Sequence, residues 1–218
     1  MANEDVIAIF PLPNVVFFPK TILPLHIFEE RYRQMVRDSI ATKQLIGMFL
    51  LKSGWEDNYQ GNPPIHAVGC AGEMVRIEDL PDGRFNIVLK GLYRARAIEV
   101  VQEFPYRKAR VEVLPEALNL GEEATRKISS DLWEAFKRLI PPGALEGMEE
   151  MPDIGYASLV NSIAGNLNIG TGEKQELLLE NDIGKRADQV LKILKRHAEE
   201  ADYNRRFAPL KPSDPSVN

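Results

Sequence analysis

Up to about residue 114, apolar residues recur at every second position or in short unbroken runs. From residue 122 onward they recur at every third and fourth position, so the change of period predicts strands first and helices afterwards. Val6–Phe10 and Ile22–Phe28 are β-type runs punctuated by Pro11, Pro13, Pro19 and Pro24. Proline cannot donate to a sheet ladder, which confines these segments to edges, turns and strand ends. After Phe28 the period changes: Phe28, Tyr32, Met35, Val36 and Ile40 share one face and Glu29, Glu30, Arg31, Arg33, Arg37 and Asp38 the other. This predicts an amphipathic helix with acids in its first turn, where the helix dipole favours them.

Leu45–Leu51 is a continuous apolar run of strand length, and Lys52–Pro64 is polar, with two glycines and two prolines, as in a surface loop. In Ile65–Leu80, Val68, Cys70, Gly72, Met74 and Arg76 share a face, and Gly69 and Gly72 suggest a bulge or tight bend. Pro81-Asp82-Gly83 marks a hairpin turn, because Asp-Gly tolerates positive φ. Strands follow at Arg84–Lys90, Leu92–Phe104 and Tyr106–Leu114. In the last, Ala109, Val111 and Val113 point inward and Lys108, Arg110 and Glu112 outward. Repeated short strands with one early helix predict a closed or half-closed barrel.

Pro115–Gly121 is the expected boundary, giving a barrel over 1–115, helices over 116–206 and a disordered tail over 207–218. Glu122–Ile140 puts Ile128, Leu132, Phe136 and Leu139 on one stripe and stops at Pro141-Pro142-Gly143. Asp153 is the expected cap of a helix carrying Ile154, Ala157, Val160, Ile163, Ala164 and Leu167. Thr171 precedes a short helix over Glu173–Glu180. Asp182 caps the last helix, with Lys195, Arg196 and His197 placed for its C-terminal end.

Composition narrows the function more by exclusion. The 218 residues are 44% hydrophobic and 27% charged, which is ordinary for a globular chain. No apolar run reaches membrane-spanning length, and the acidic start MANEDVIAIF does not suit a secretion signal. A single cysteine, Cys70, suits a reducing compartment, so the expected location is cytoplasmic. The net charge is −5. Residues 1–115 balance 14 basic against 14 acidic side chains, without the excess that phosphate backbones require.

Candidate chemistry is thin. Cys70 and His66 share a strand face but stand about 13 Å apart when extended, too far for a nucleophile and its base. His26, His66, His197 and Cys70 have no metal-ligand spacing. Gly165 to Gly172 nearly matches a phosphate loop, but Thr171 stands in place of the lysine and a helix precedes it. Asp79 and Asp82 read as turn formers, and Lys90, Arg94 and Arg96 as a small basic patch on a solvated barrel face. No cofactor or metal is expected. Val15-Val16-Phe17-Phe18 cannot all enter one core if extended, so Phe17 and Phe18 either plug opposite sides of a barrel seam or are exposed. Trp55 and Tyr59 fall in the polar loop, where aromatics often mark binding surfaces.

Three stretches resemble the N-terminal substrate-binding domain of Lon proteases, in the same order. They are the proline-punctuated opening through PLHIFEERYRQM; Gly69–Val100, ending on Gly91, Leu92, Arg94 and Arg96; and a C-terminal run with Lys174, Gln175, Leu178, Leu179, Glu180, Asp182 and Arg186. The resemblance implies an α+β fold: a PUA-like β-barrel (pseudobarrel) followed by an α-helical bundle. It implies a non-catalytic module that binds unfolded or extended polypeptide. Phe17, Phe18, His26, Phe28, Tyr32, Met48 and Met74 are the expected peptide-binding residues, in an apolar groove where barrel meets helices. The chain ends before an ATPase or peptidase could begin, so hydrolysis is not carried over. A protease served as adaptor and a second copy of the chain are candidate partners; membrane is not. RNA is the alternative ligand, since PUA-like barrels occur in RNA-modifying proteins, but the balanced charge argues against it.

Overall fold

A computed structural model describes residues 4–59, 61–140 and 150–207. The expected tail beyond Phe207 and the Pro141-Pro142-Gly143 stop lie outside the described residues. Six strands and five helices follow in the order β1 (Glu4–Leu12), β2 (Ile22–Ile27), α1 (Glu30–Thr42), β3 (Ile46–Leu50), β4 (Val68–Asp79), β5 (Phe85–Gln102), β6 (Arg107–Leu114), α2 (Glu122–Lys137), α3 (Tyr156–Asn166), α4 (Thr171–Leu179) and α5 (Ile183–Phe207). The architecture is the α+β barrel-then-helices arrangement expected.

The sheet runs β2-β5-β4-β3-β1-β6 and closes because β5 also pairs with β6. Only β1 and β3 run parallel among these pairs. The two strands expected over Arg84–Phe104 are one continuous 18-residue β5. Its first half pairs with β2 and β4 and its second with β4 and β6, so one strand serves both an open flap and the barrel wall. Register shifts at Ala71/Gly72 and Met74/Arg76 on β4, and at Ala97/Glu99 and Val100/Gln102 on β5, supply the bending that such a path needs. Gly83, at φ 76°, makes the hairpin turn between β4 and β5.

Gly91 has a different task. A Cβ there would stand 2.3 Å from the Phe18 carbonyl oxygen. Without one, the 18–21 segment lies directly on β5, with Lys20 N–H donating to Gly91 O (2.8 Å) and Gly91 N–H to Thr21 O (2.9 Å). This close approach sends Phe17 into the core beneath α1 and Phe18 into the core beneath the helices. Both are buried, as in the seam-plug alternative. Phe18, Val68 and Leu114 therefore share one apolar cluster with Leu132, Trp133, Leu159 and Leu178.

Several local expectations are corrected by geometry. Phe28 and Ile40 lie outside the buried stripe of α1, which is Tyr32, Met35, Val36 and Ser39. Gly155, not Asp153, occupies the N-cap of α3. Helix α5 runs on to Phe207, so Lys195, Arg196 and His197 sit within it rather than at its end. Asp182 does cap α5, accepting from the backbone N–H groups of Gly184 (2.8 Å) and Lys185 (3.2 Å).

The largest correction is Arg94, read as solvated and in fact fully buried. It reaches from β5 to the C-terminal carbonyls of α4, donating to Leu178 O (3.1 Å) and Leu179 O (3.3 Å), and to Pro115 O (2.9 Å) and Asn181 Oδ1 (2.7 Å). These are carbonyls that a helix end leaves without intrahelical partners. Glu116 lies 4.0 Å from Arg94 Nε and also pairs with Arg186, itself buried and donating to Asn161 Oδ1 (2.6 Å) and Glu180 O (2.6 Å). One carboxylate thus serves two buried guanidiniums. Removing it leaves both uncompensated, so Glu116→Ala is expected to cost on the order of 3–5 kcal/mol by urea denaturation. Arg96→Gln, which breaks the exposed pair with Glu112, is expected to cost less than about 1 kcal/mol by the same measurement.

Candidate polypeptide-binding surface

The first turn of α1 sits between the end of β2 and the 52–64 loop, and one ion pair ties the three together. Glu29 accepts from the Tyr59 hydroxyl (2.7 Å) and from Arg31 Nε (3.1 Å). Arg31 also donates to the Tyr59 carbonyl (3.3 Å) from both terminal nitrogens, and its guanidinium lies over the rings of Tyr32 (4.6 Å) and Tyr59 (5.0 Å). Stacking and a charge-assisted pair together hold the loop against the helix. Trp55 meets Tyr59 edge-on at 5.5 Å, so both loop aromatics belong to this rim.

Around the clamp lie three adjoining recesses. One, of about 130 Å³, is lined by Leu12, Leu25, His26, Phe28, Tyr32 and Tyr59. The second, wider at about 460 Å³, lies beside Phe28, Glu29, Arg31 and Tyr59. The third, also about 130 Å³, lies beyond Arg31 and Tyr32 and is walled by Phe104, Pro105 and Arg107. Phe28 is 61% exposed and Phe104 70% exposed, each in the lining of one of these recesses. Strand β2 flanks the first recess and is the end strand of the sheet, with Pro24 interrupting its donors.

The structure separates the expected peptide-binding residues into two groups. Phe17, Tyr32 and Met48 are buried in the barrel core with Met74 half-buried against it, and Phe18 is buried under the helices. At the barrel–helix junction Phe18, Val68 and Leu114 pack against Leu132, Trp133, Leu159 and Leu178. His26 and Phe28 are exposed and stack at 6.2 Å, and Tyr32 supplies the floor beneath them. His26 Nδ1 lies 2.8 Å from Asn86 Oδ1, whose amide donates to Glu78 (3.0 Å). Cys70 is buried and its thiol is pushed far up by burial, the opposite of an activated nucleophile.

Arg107 and Phe104 were missed. The signal for Arg107 was present, since it shares the parity of Ala109 and Val111 on β6 and so places a guanidinium on an inward face. Phe104 offered no comparable signal.

The sequence profile of the "ATP-dependent protease La (LON) substrate-binding domain" matches residues 6–196, and the chain belongs to that family. Among its relatives, Lon protease 2 of Myxococcus xanthus is 30% identical over 202 residues, covering 89% of this chain and 24% of that protein. Lon protease of Dictyoglomus thermophilum is 31% identical over 198 residues, covering 89% and 25%. The chain spans about a quarter of the length of these relatives. The Lon N-terminal domain protein of Xanthomonas campestris has the same fold, with a TM-score of 0.62 at 22% identity over 86% of this chain and 98% of that one. So does the N-terminal domain of the Mycobacterium avium complex Lon protease, with a TM-score of 0.60 at 15% identity over 88% and 100%.

Burial first, opposed by neighbouring Arg31, pushes the Tyr32 phenol up to about 12. The folded protein therefore holds a proton that the unfolded chain releases near pH 10. Tyr32 contributes stability that is whole below pH 10 and is lost as pH rises toward 12. In urea titrations over that window, Tyr32→Phe is expected to flatten the alkaline decline relative to wild type.

Proposed function

We propose that the rim formed by β2, the first turn of α1 and the 52–64 loop binds extended or unfolded polypeptide. The exposed Phe28 at the mouth of contiguous apolar recesses carries this reading. Its ring stands beside an end strand, so an incoming chain gains backbone hydrogen bonds from β2 and side-chain burial from the recess. Backbone pairing is indifferent to sequence, while shallow aromatic recesses accept varied apolar side chains.

The chain acts by holding a polypeptide, and any bond-breaking belongs to a partner protease to which it delivers clients in the cytoplasm. The barrel over 1–115 supplies the contact surface, and the helices over 116–206 brace it through Arg94 and the cluster around Phe18.

Binding of a reduced, carboxymethylated protein against its native form tests the reading. Wild type is expected to retain the unfolded form selectively. Phe28→Ala is expected to weaken that binding at least tenfold, the size of a hot-spot aromatic truncation. Because Phe28 is exposed, its stability should change by no more than about 0.5 kcal/mol. Equal binding of both forms, or an unaffected Phe28→Ala variant, contradicts the proposal.

A further inference from the structure

The third recess differs from the others in holding Arg107, a cation that makes no ion pair with a carboxylate among the described residues. Arg107 is only 8% exposed. Among the described residues its hydrogen-bond acceptor is the Pro63 carbonyl, 2.8 Å from Nη1, while a guanidinium offers five donors. Arg31, on the opposite wall, already has Glu29 at 3.0 Å. Glu103 lies on the exposed lip of the recess, beside Phe104 and Pro105. Tyr32 keeps its proton to about pH 12 and supplies no counter-charge at neutral pH. Tyr106 turns its hydroxyl to Asp38 (2.8 Å), which draws that carboxylate to a different partner.

A guanidinium largely, though not wholly, withdrawn from water gains when a carboxylate arrives. Burial pulls Arg107 down from its usual range, opposed by Tyr32, with the neighbouring Arg31 adding to the effect and Glu103 on the lip opposing it. A planar fork matches a carboxylate through two parallel N–H···O bonds, and a dry aromatic wall strengthens the pairing. The recess volume, about 130 Å³, suits a small group of this kind. The whole chain carries a net charge of −5, and this opening is walled by two arginines, one of them paired with Glu29, and by Glu103 at its lip.

We infer that the recess between Arg31 and Arg107 is a carboxylate-binding subsite, filled by the C-terminal carboxylate or an acidic side chain of a polypeptide lying along the α1 rim. This rests on the polypeptide-binding reading for the source of the carboxylate. An apolar segment seated at Phe28 then continues past Arg31 and places its charged group on Arg107. The subsite gives direction and selectivity to a surface that otherwise reads only apolar character.

Two arms test it on the full chain. In the first, acetate is titrated while the Arg107 Nε–H and Tyr32 signals are followed by NMR. Saturable shifts are expected, and in Arg107→Met the Tyr32 shift should disappear. Absence of saturation overturns the subsite, and saturation by inorganic phosphate in place of acetate overturns it in favour of a phosphate ligand. In the second arm, one labelled apolar peptide is compared as free acid, as C-terminal amide, and as amide with an internal Asp or Asn. A tenfold preference for the free acid over the amide identifies the terminus as the source, and a tenfold preference for Asp over Asn identifies the side chain. Arg107→Met should erase whichever preference appears, and Arg107→Lys, which keeps the charge but not the fork, should fall between. Equal binding of all four peptides overturns the carboxylate role and leaves the polypeptide reading standing. Binding of none defeats the polypeptide reading and with it the proposed source, while the acetate arm still reports on the recess.

Discussion

Two buried arginines sharing one carboxylate decide how the two halves of this protein meet. Arg94 leaves the barrel wall and ends on the last carbonyls of α4, while Arg186 leaves α5 and ends on Glu116 and Asn161. Guanidinium groups suit this task because a rigid planar fork can satisfy several carbonyls at once. Gln175 adds a further tie, from α4 to the carbonyl of Val68 on β4 (2.9 Å). These polar bridges and the Phe18 cluster together join the two halves. Phe28 and Phe104 are exposed aromatics beside the recesses around α1.

At that rim the same residue types are used differently. Arg94 is surrounded by carbonyls and asparagine oxygen, and Arg31 by Glu29 and two tyrosine rings. Arg107 has comparable burial and one carbonyl. The clamp of Glu29, Arg31 and Tyr59 orders the loop that would otherwise drift from the helix, so the recess walls on both sides of Arg31 are set before any ligand arrives. Preorganisation of this kind lowers the ordering cost that binding would otherwise carry.

Much of the fold was legible in the sequence for reasons that particular residues make plain. The alternation over 107–114, the Asp82-Gly83 turn and the Asp182 cap are local signals, and local physics suffices to read them. The site was harder because exposure is a tertiary property. Phe28 continues the period of α1 and yet is exposed, since it lies in the short link between β2 and the helix. Phe17 and Phe18 read from sequence as either a seam plug or exposed, and the tertiary approach at Gly91 decides it by letting the chain press onto β5 and divide them between two cores. Arg94 looked solvated because its acceptors come from residues 115 and 178–181, too distant in sequence for any pattern to link them.

Hydrogen exchange of the full chain, with and without a permanently unfolded client, addresses the location of the contact most directly. Protection gained along Ile22–Ile27, at Glu29–Arg33 and over Trp55–Tyr59, with α2, α3 and α5 unchanged, is the result this account predicts. Protection confined to the helices, or spread evenly over both halves, would contradict it.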